Sequence, residues 1–285
     1  MMTTQTVPAF TLARLCAMQE LRLSVRSRWT QTFALVFAGL AFAVAASGYV
    51  MSGGRGLQDF SRTAASLVEL VLLLVPLTAL VFGVMSLTPD AGEAELLYSQ
   101  PVPRPLILLG KLAGLYLALI ASQAVGFGAA GLLLFWRAGA DGVLGFLGVV
   151  AGSFVLTAVF LAIAAALTAG ATSARRAHHL AVALVIWFVA IVLFDVAALG
   201  VASLLRSGTA SRLLMIAVIV NPVDAVRTGT LLAVEGTTAF GAASLAFFRM
   251  TGGTLGAGLS LAASVVVWIL VPLAVAVLRV RRADI

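Results

Sequence analysis

The chain has 285 residues, of which 62% are hydrophobic and only 10% are charged, and its mean hydropathy is +1.12. A soluble domain carries about a quarter charged residues, so this composition excludes a soluble globular protein and indicates an integral membrane protein. In a soluble protein, the net charge of +7 would suggest nucleic acid binding. In a membrane protein, basic residues that flank the spans and lie beside anionic lipid explain this charge better.

Residues 10–28 predict a helix that lies on the membrane surface. Apolar residues recur there at three- and four-residue spacing, which is typical of an interfacial amphipathic helix. These residues are Leu12, Leu15, Met18, Leu21 and Val25. The charged residues, which lie mostly on the rest of the helix surface, are Arg14, Glu20, Arg22, Arg26 and Arg28. The alternative is a solvated N-terminal arm.

Six further apolar stretches are each long enough to cross a bilayer as a helix. They cover residues 29–51, 64–87, 106–136, 143–171, 180–205 and 255–277. Pro89 ends the second stretch, because a proline stops the helix that precedes it. We therefore expect an all-α integral membrane protein in which residues 1–285 form a single transmembrane domain.

Residues 206–254 are harder to place, because their apolar runs are short and are separated by polar sequence. The run LLMIAVIV is too short to cross a bilayer, and NPVDAVRTGT is too polar to face lipid. We expect short helices that lie on the membrane face or dip partly inward. With six spans and both termini cytoplasmic, this region is predicted to be periplasmic.

The distribution of basic residues predicts the orientation of the chain. With six spans, eleven Arg and Lys residues fall on the side of the N-terminus and seven on the opposite side. Basic residues favour the cytoplasmic side, so both termini are predicted to be cytoplasmic.

The sequence lacks the motifs of common catalytic sites. It contains no GxxxxGK[ST] loop, no HExxH and no GxSxG, so no enzyme activity and no ATP hydrolysis are expected on this chain. A single cysteine, Cys16, excludes an intrachain disulfide. The adjacent His178 and His179 would point about 100° apart on a helix and could not share one metal ion, so no metal site is expected.

Two carboxylates lie inside apolar spans and are candidates for function. Glu69 lies in the second span and Asp195 in the fifth, each in the outer third of the membrane by the predicted topology. An ionisable group at such depth is costly unless it is paired or hydrated. A role in binding a substrate is one interpretation. The alternative is that Ser, Thr or Arg on a neighbouring helix satisfies each carboxylate and that both serve packing.

The loop between the second and third spans, residues 89–105, carries the most specific pattern. Acidic residues precede a leucine pair, and a proline-rich run follows. A short amphipathic helix held between two spans suits contact with a soluble partner, since its displacement would pass to both spans. The residues predicted to couple to that partner are Asp90, Glu93, Glu95, Leu96, Leu97, Gln100, Pro101 and Arg104.

At this loop the chain resembles the membrane subunits of type-2 ABC transporters. In that family an acidic residue and a leucine pair lead to a P-[VI]-x-R run, and an apolar segment with Gly-Lys opens the third span. The matching residues are Glu95, Leu96, Leu97, Pro101, Val102, Arg104, Gly110 and Lys111. Relatives often carry an E-R-x-x-G-T run just before the loop helix. This chain has Pro89-Asp90-Ala91-Gly92-Glu93 instead, which leaves the detailed contact with the partner open.

A narrower resemblance is to the NosY-type permeases that serve maturation of nitrous oxide reductase. It rests on the loop, on LFDVAALG with Asp195, and on NPVDAVR at 221–227. The resemblance implies a homodimer in the bacterial inner membrane above a cytoplasmic ABC ATPase dimer that binds ATP and Mg. It also implies a role in delivering sulfur or copper species to a copper site, with a periplasmic partner protein. The residues predicted to dock that partner are Asn221, Pro222, Asp224 and Arg227.

Two other functions fit the same spans. An ABC exporter of a lipid, drug or peptide would share the topology but would need a continuous route between spans of the two copies. A proton-coupled secondary transporter would use Glu69 and Asp195 and would need no ATPase. The absence of an inverted repeat of broken spans argues against the second alternative.

Overall fold

The computed structural model describes residues 9–52, 57–89, 92, 102–138, 143–171, 173–236 and 241–282. None of these residues lies in a strand, and nearly all of them lie in ten helices. The helices are α1 Ala9–Arg26, α2 Arg28–Ser52, α3 Leu57–Leu87, α4 Arg104–Ala138, α5 Val143–Thr168, α6 Arg176–Ser203, α7 Ser207–Val220, α8 Pro222–Glu235, α9 Ala242–Thr251 and α10 Thr254–Arg282. The prediction of an all-α protein is confirmed.

Six of these helices, α2 to α6 and α10, are long and apolar enough to cross a membrane. The six predicted spans lie within or across these helices, and the prediction of six membrane helices is confirmed. The helix α3 begins at Leu57, seven residues before the predicted span, because the polar run LQDFSRT continues the helix. A chain that crosses a bilayer six times runs in opposite directions in consecutive spans, so α3 ends and α4 begins at the same end of the bundle. We call the end of the bundle at which α3 ends and α4 begins the loop end, and the opposite end the far end.

The core of the bundle is built around α5, which packs against α3, α4, α8 and α10. A row of aromatic side chains lines the interior between α2, α4 and α5. Phe37 packs edge-on against Phe127 with ring centroids 5.1 Å apart, and Phe127 against Phe146 at 5.9 Å. On α4, Gly126 makes room for Phe37, since a Cβ there would lie 2.6 Å from the Phe37 ring. These apolar contacts fix α2 against α4 and α4 against α5.

The spans differ in how much of their surface this one chain covers. Half of the most apolar part of α3 and of α5 is buried, but only 6% of that of α6 and 17% of that of α10. Large apolar side chains such as Val185, Val196 and Leu199 are exposed along α6. An apolar surface of this kind is suited to lipid or to another apolar protein surface.

The helices α7 and α8 form a broken pair in the region for which the sequence predicts short helices. They meet at an angle of 99° across Asn221, and counted as one bent unit they are long and apolar enough to be a seventh span. The corner at Asn221 contacts Ala190 of α6, and Val220 contacts Trp268 of α10. Both contact residues lie near the middle of their own helices, so the pair enters the bundle from the far end to about mid-depth.

At the loop end, α1 packs mainly on α4 and contacts α2 less. That this helix lies on the membrane surface stays a prediction. The predicted coupling residues Asp90, Glu93, Glu95, Leu96, Leu97, Gln100 and Pro101 lie outside the described residues. Arg104 is described and begins α4. The carbonyl oxygen of Thr88, where the chain leaves α3, accepts a hydrogen bond from the Arg176 guanidinium of α6.

Candidate functional site: a charged cluster at the corner of the broken helix pair

The corner between α7 and α8 is fixed by the side chain of Asn221. Its Oδ1 accepts a hydrogen bond from the Val223 backbone N–H at 3.1 Å, so Asn221 caps the start of α8, and Pro222 takes the first helical position, where it loses no hydrogen bond. Its Nδ2 donates to the Ala190 carbonyl oxygen at 2.8 Å. Asn221 is therefore buried with its donor and its acceptor both in use.

The acceptor on α6 belongs to a local irregularity of that helix. Residues Val189–Leu193 form a π-helical turn within α6, and such turns disturb the regular ladder of backbone hydrogen bonds and are frequent at functional sites. Asn221 reaches the carbonyl oxygen of Ala190, inside this turn. The irregular turn thus coincides with the point at which the broken pair is attached to α6.

A second anchor holds the corner from the opposite side. The indole Nε1 of Trp268 on α10 donates to the Val220 carbonyl oxygen at 2.8 Å. This carbonyl lies at the C-terminal end of α7, where helices leave carbonyl groups without an intrahelical partner. The corner is thereby hydrogen-bonded to both α6 and α10.

One turn into α8, Arg227 is the cation on which carboxylates from two spans converge. Its Nη2 donates to Glu69 Oε1 of α3 at 2.6 Å, and its Nη1 lies 3.9 Å from Asp195 Oδ2 of α6. The side chains are 38% exposed for Arg227, 58% for Glu69 and 37% for Asp195 within the single chain. These contacts connect α8 to α3 and α6 through charge-assisted interactions.

A third carboxylate, Asp224, lies deeper, between the corner and Asp195. Its Oδ2 accepts a hydrogen bond from Asn221 Nδ2 at 2.9 Å, and its carboxyl group lies beside that of Asp195. Asp224 lies in the first turn of α8, where the helix dipole favours a negative charge. We call Glu69, Asp195, Asn221, Asp224 and Arg227 the corner cluster.

A cavity of about 280 Å³ adjoins the corner cluster between α6, α7 and α8. Asp195, Asp224, Arg227 and Thr228 supply its polar wall, and its apolar wall comes from Ala198, Leu199, Leu214, Ala217 and Val218. A pocket with mostly apolar walls and a few convergent polar groups is the usual form of a binding site. Among the residues that the structure describes, no group of three or more His, Cys, Asp or Glu side chains is placed to hold a metal ion.

The structure therefore joins residues that the sequence interpretation treated as two separate groups. The intramembrane carboxylates Glu69 and Asp195 meet Arg227, which the sequence predicts to dock a periplasmic partner. Of the four residues predicted to dock a periplasmic partner, Asn221, Pro222 and Asp224 are buried inside the chain and Arg227 is half-buried. Docking of a partner on this region stays a prediction, and within this chain these residues hold α8 to the bundle.

Comparison with known proteins identifies the family. A family model described as "ABC-2 family transporter protein" matches residues 15–285. The chain belongs to the ABC-2 transporter family. It is 34% identical over 236 residues to a probable ABC transporter permease protein NosY from Pseudomonas aeruginosa, covering 81% of this chain and 85% of the relative. It is 33% identical over 238 residues to the protein of the same name from Stutzerimonas stutzeri, covering 80% and 85%.

The family resemblance drawn from the loop is thus confirmed, and this ABC-2 chain is a multi-pass membrane protein and a transport component. Membership in this family argues against the proton-coupled secondary transporter.

Sequence reasoning missed one buried charge at the loop end. The sequence pattern places Glu20 on the polar surface of an amphipathic helix, but Glu20 is only 7% exposed and contacts Ser86 of α3 and Lys111 of α4. The available signal was that Glu20 is the single acidic residue in a segment that otherwise carries only arginines as charged residues.

Proposed function

We propose that this chain is the membrane-spanning permease subunit of an ABC transporter that serves nitrous oxide reductase. It would couple ATP hydrolysis on a separate ATPase to assembly of the reductase's periplasmic copper site, by delivery of sulfur or copper species. The similarity to NosY permeases over four fifths of the chain is the observation that carries this proposal.

The proposal gives the chain three protein partners. A second copy forms a homodimer, a cytoplasmic ABC ATPase dimer binds ATP and Mg and contacts the loop at 89–105, and a periplasmic protein meets the far end. The chain itself holds no cofactor. It lies in the bacterial inner membrane with both termini cytoplasmic, in accord with the excess of basic residues on that side.

The corner cluster supports a mechanical role for α7 and α8. Each connection leads to a different span: Arg227 to Glu69 of α3, Asn221 to Ala190 of α6, and Val220 to Trp268 of α10. If ATP binding shifts these spans relative to one another, the corner has to follow, because it is bonded to all three. Residues 206–254 would then pass the shift to the periplasmic partner.

Gene deletion in a denitrifying host, followed by purification of the reductase, tests the proposal. We expect the reductase from the deletion strain to be deficient in copper at its catalytic site, and the wild-type chain to restore the metal content. A companion ATPase unable to hydrolyse ATP should reproduce the deletion. A fully loaded reductase in the deletion strain would overturn the proposal. If export of a lipid, drug or peptide were lost at the same time, the exporter alternative would be favoured.

A further inference from the structure

Glu20 of α1 is a buried carboxylate with partners on two other helices. Its Oε1 accepts hydrogen bonds from Ser86 Oγ at 2.6 Å and from Ser24 Oγ at 3.2 Å, and its Oε2 lies 3.9 Å from Lys111 Nζ. The Glu20 and Lys111 side chains are only 9% and 14% exposed. We call Glu20, Ser24, Ser86 and Lys111 the Glu20 cluster. Burial of a charge is unfavourable unless partners compensate it, so the buried Glu20 carboxylate depends on these three partners.

The partners of Glu20 flank the loop at 89–105. Ser86 lies in the last turn of α3, which ends at Leu87, and Lys111 lies two turns into α4, which begins at Arg104. One carboxylate of α1 thus contacts both helices that the loop joins. A displacement of the loop reaches the rest of the molecule through these two helix ends.

The backbone of α1 is also seated closely on α4 at the same place. A Cβ on Gly110 would lie 2.6 Å from Cys16 Cβ, and a Cβ on Gly114 would lie 2.3 Å from the Ala17 carbonyl oxygen. These glycines are four residues apart and so lie on one face of α4, and small residues in that spacing allow helices to approach closely in membranes. The side chain of Lys111 projects from α4 between these two glycines. The Gly-Lys pair at the start of the third span therefore has a physical role, because glycine admits α1 and lysine pairs with its carboxylate.

We propose that Glu20 is a positioning residue for coupling, which makes α1 and the two helix ends beside the loop move as one unit. Ser86 joins α3 to the carboxylate, and Lys111 with the glycine contact joins α4. Without the charge of Glu20, α3 and α4 can separate. A displacement of the loop would then move these two helix ends apart and would not be passed to the rest of the molecule. The inference rests on the proposed function in one respect, namely that an ATPase acts on the loop.

The direct test measures the separation of α3 and α4 in the complex with its ATPase. In a Cys16→Ala background, spin labels at Met85 on α3 and Leu109 on α4, both exposed positions, report this distance with ADP and with a non-hydrolysable ATP analogue. We expect one narrow distribution in both states. Glu20→Gln should broaden it, because the amide keeps the shape but loses the attraction to Lys111. Ser86→Ala, a milder change, should broaden it as well. Unchanged distributions in both variants would overturn the inference.

The functional readout is the ATPase activity of the same complex. We expect Glu20→Gln and Lys111→Met each to reduce several-fold the stimulation of ATP hydrolysis by the reconstituted membrane subunit, with membrane insertion retained. The exchanged pair, Glu20→Lys with Lys111→Glu, should restore at least half of it. Arg22→Gln, which removes an exposed charge from the same helix, is the matched control and should change nothing. Exchanged charges that restore none of the stimulation would overturn the role of the ion pair.

These measurements separate failure of this inference from failure of the proposed function. They need the ATPase partner and a nucleotide, but neither nitrous oxide reductase nor a copper species. If the reductase lacks copper in the deletion strain but the label distances do not change in Glu20→Gln and Ser86→Ala, the Glu20 inference alone is wrong. If the label distances change as expected in the variants but the reductase matures normally without this chain, the proposed role in nitrous oxide reductase maturation alone is wrong.

Discussion

Arg227 of the corner cluster contacts carboxylates from two different spans. It bonds Glu69 at 2.6 Å, lies 3.9 Å from Asp195, and shares its neighbourhood with Asp224. Ion pairs in water contribute little, whereas loss of one partner of a buried pair is strongly destabilising. At 38% exposed, Arg227 lies between these limits.

Replacing Arg227 with glutamine should loosen the attachment of α8 to α3 and α6. We expect a loss of about 1–2 kcal/mol in the free energy of unfolding, intermediate between exposed and buried pairs, and a drop of roughly 2–6 °C in melting temperature. Thermal unfolding in detergent measures this. Arg212→Gln, at an exposed position on α7, is the control. Equal melting temperatures for the two variants would show that Arg227 does not hold α8.

The two span carboxylates should not contribute equally. Asp195 is less exposed than Glu69, contacts both Arg227 and Asp224, and lines the cavity of about 280 Å³. Under the proposed function, we therefore expect Asp195→Asn to lower copper loading of the reductase several-fold and Glu69→Gln to lower it less. Metal analysis of the purified reductase gives the comparison. Wild-type loading with both variants would show that neither carboxylate takes part.

At the scale of elements, α1 can approach α4 closely because Gly110 and Gly114 of α4 have no side chains at the contact. Gly114→Ala should displace α1, because the new Cβ would lie 2.3 Å from the Ala17 carbonyl oxygen, and overpacking of this kind costs about 1–3 kcal/mol. Faster proteolysis within residues 9–26 of the reconstituted protein measures the displacement.

The control for this variant lies on the same helix. Gly128 of α4 has nothing within 4 Å of an added Cβ, so Gly128→Ala should leave the protease sensitivity of α1 unchanged. If Gly114→Ala behaved like Gly128→Ala, the close seat of α1 on α4 would be refuted.

Hydropathy predicts helices that cross a membrane because length and composition alone decide whether a segment suits lipid. That is why the six spans could be anticipated, including α10 with Pro272 inside it. The π-helical turn of α6 could not, and the sequence left open whether the short helices of residues 206–254 lie on the membrane face or dip inward, since neither feature changes the composition of its segment. The sequence around Asn221 contains a good helix start, but what the corner would contact is set by other helices.

For the molecule as a whole, α3 connects the two polar clusters. It carries Ser86 of the Glu20 cluster at the loop end and Glu69 of the corner cluster toward the far end, with Pro76 between them. Trp187 of α6 donates to the Leu73 carbonyl oxygen at 3.0 Å, in the turn before that proline. A shift at the end of α3 beside the loop thus has a route to Arg227 along α3 itself and through Glu69.

Substituting Glu93, Glu95 and Leu97 of the loop together with alanine should disconnect this route from the ATPase. We expect the membrane subunit to insert normally but to lose most of its effect on ATP hydrolysis, because the acidic and apolar contacts of the loop would be gone. ATPase assays on the reconstituted complex measure this. A complete ATPase response in the triple variant would mean that the loop is not the contact.

The candidate site shows where sequence reasoning stops. Glu69 and Asp195 stood out because charged groups are costly in apolar spans, and the motif at 221–227 stood out by resemblance. Arg227 and Glu69 are 158 positions apart, and no periodicity reports that they touch. Glu20 was misplaced for the same reason, since its partners Ser86 and Lys111 lie on other helices.

The π-helical turn at Val189–Leu193 sets the rotational phase of the second half of α6. Each residue of an α-helix advances about 100° around the axis, and a π turn holds one residue more than an α turn spanning the same rise. Deleting one residue there would replace the π turn with an α turn of about the same rise, so the half of α6 beyond it would keep nearly the same rotational phase. Asp195 would still face Arg227, whereas deleting one residue from the regular part of α6 before the turn would rotate Asp195 by roughly 100°. A single-codon deletion in the π turn would thus keep the corner cluster in register, while the same deletion a few residues earlier would dismantle it with nearly the same hydropathy, length and composition.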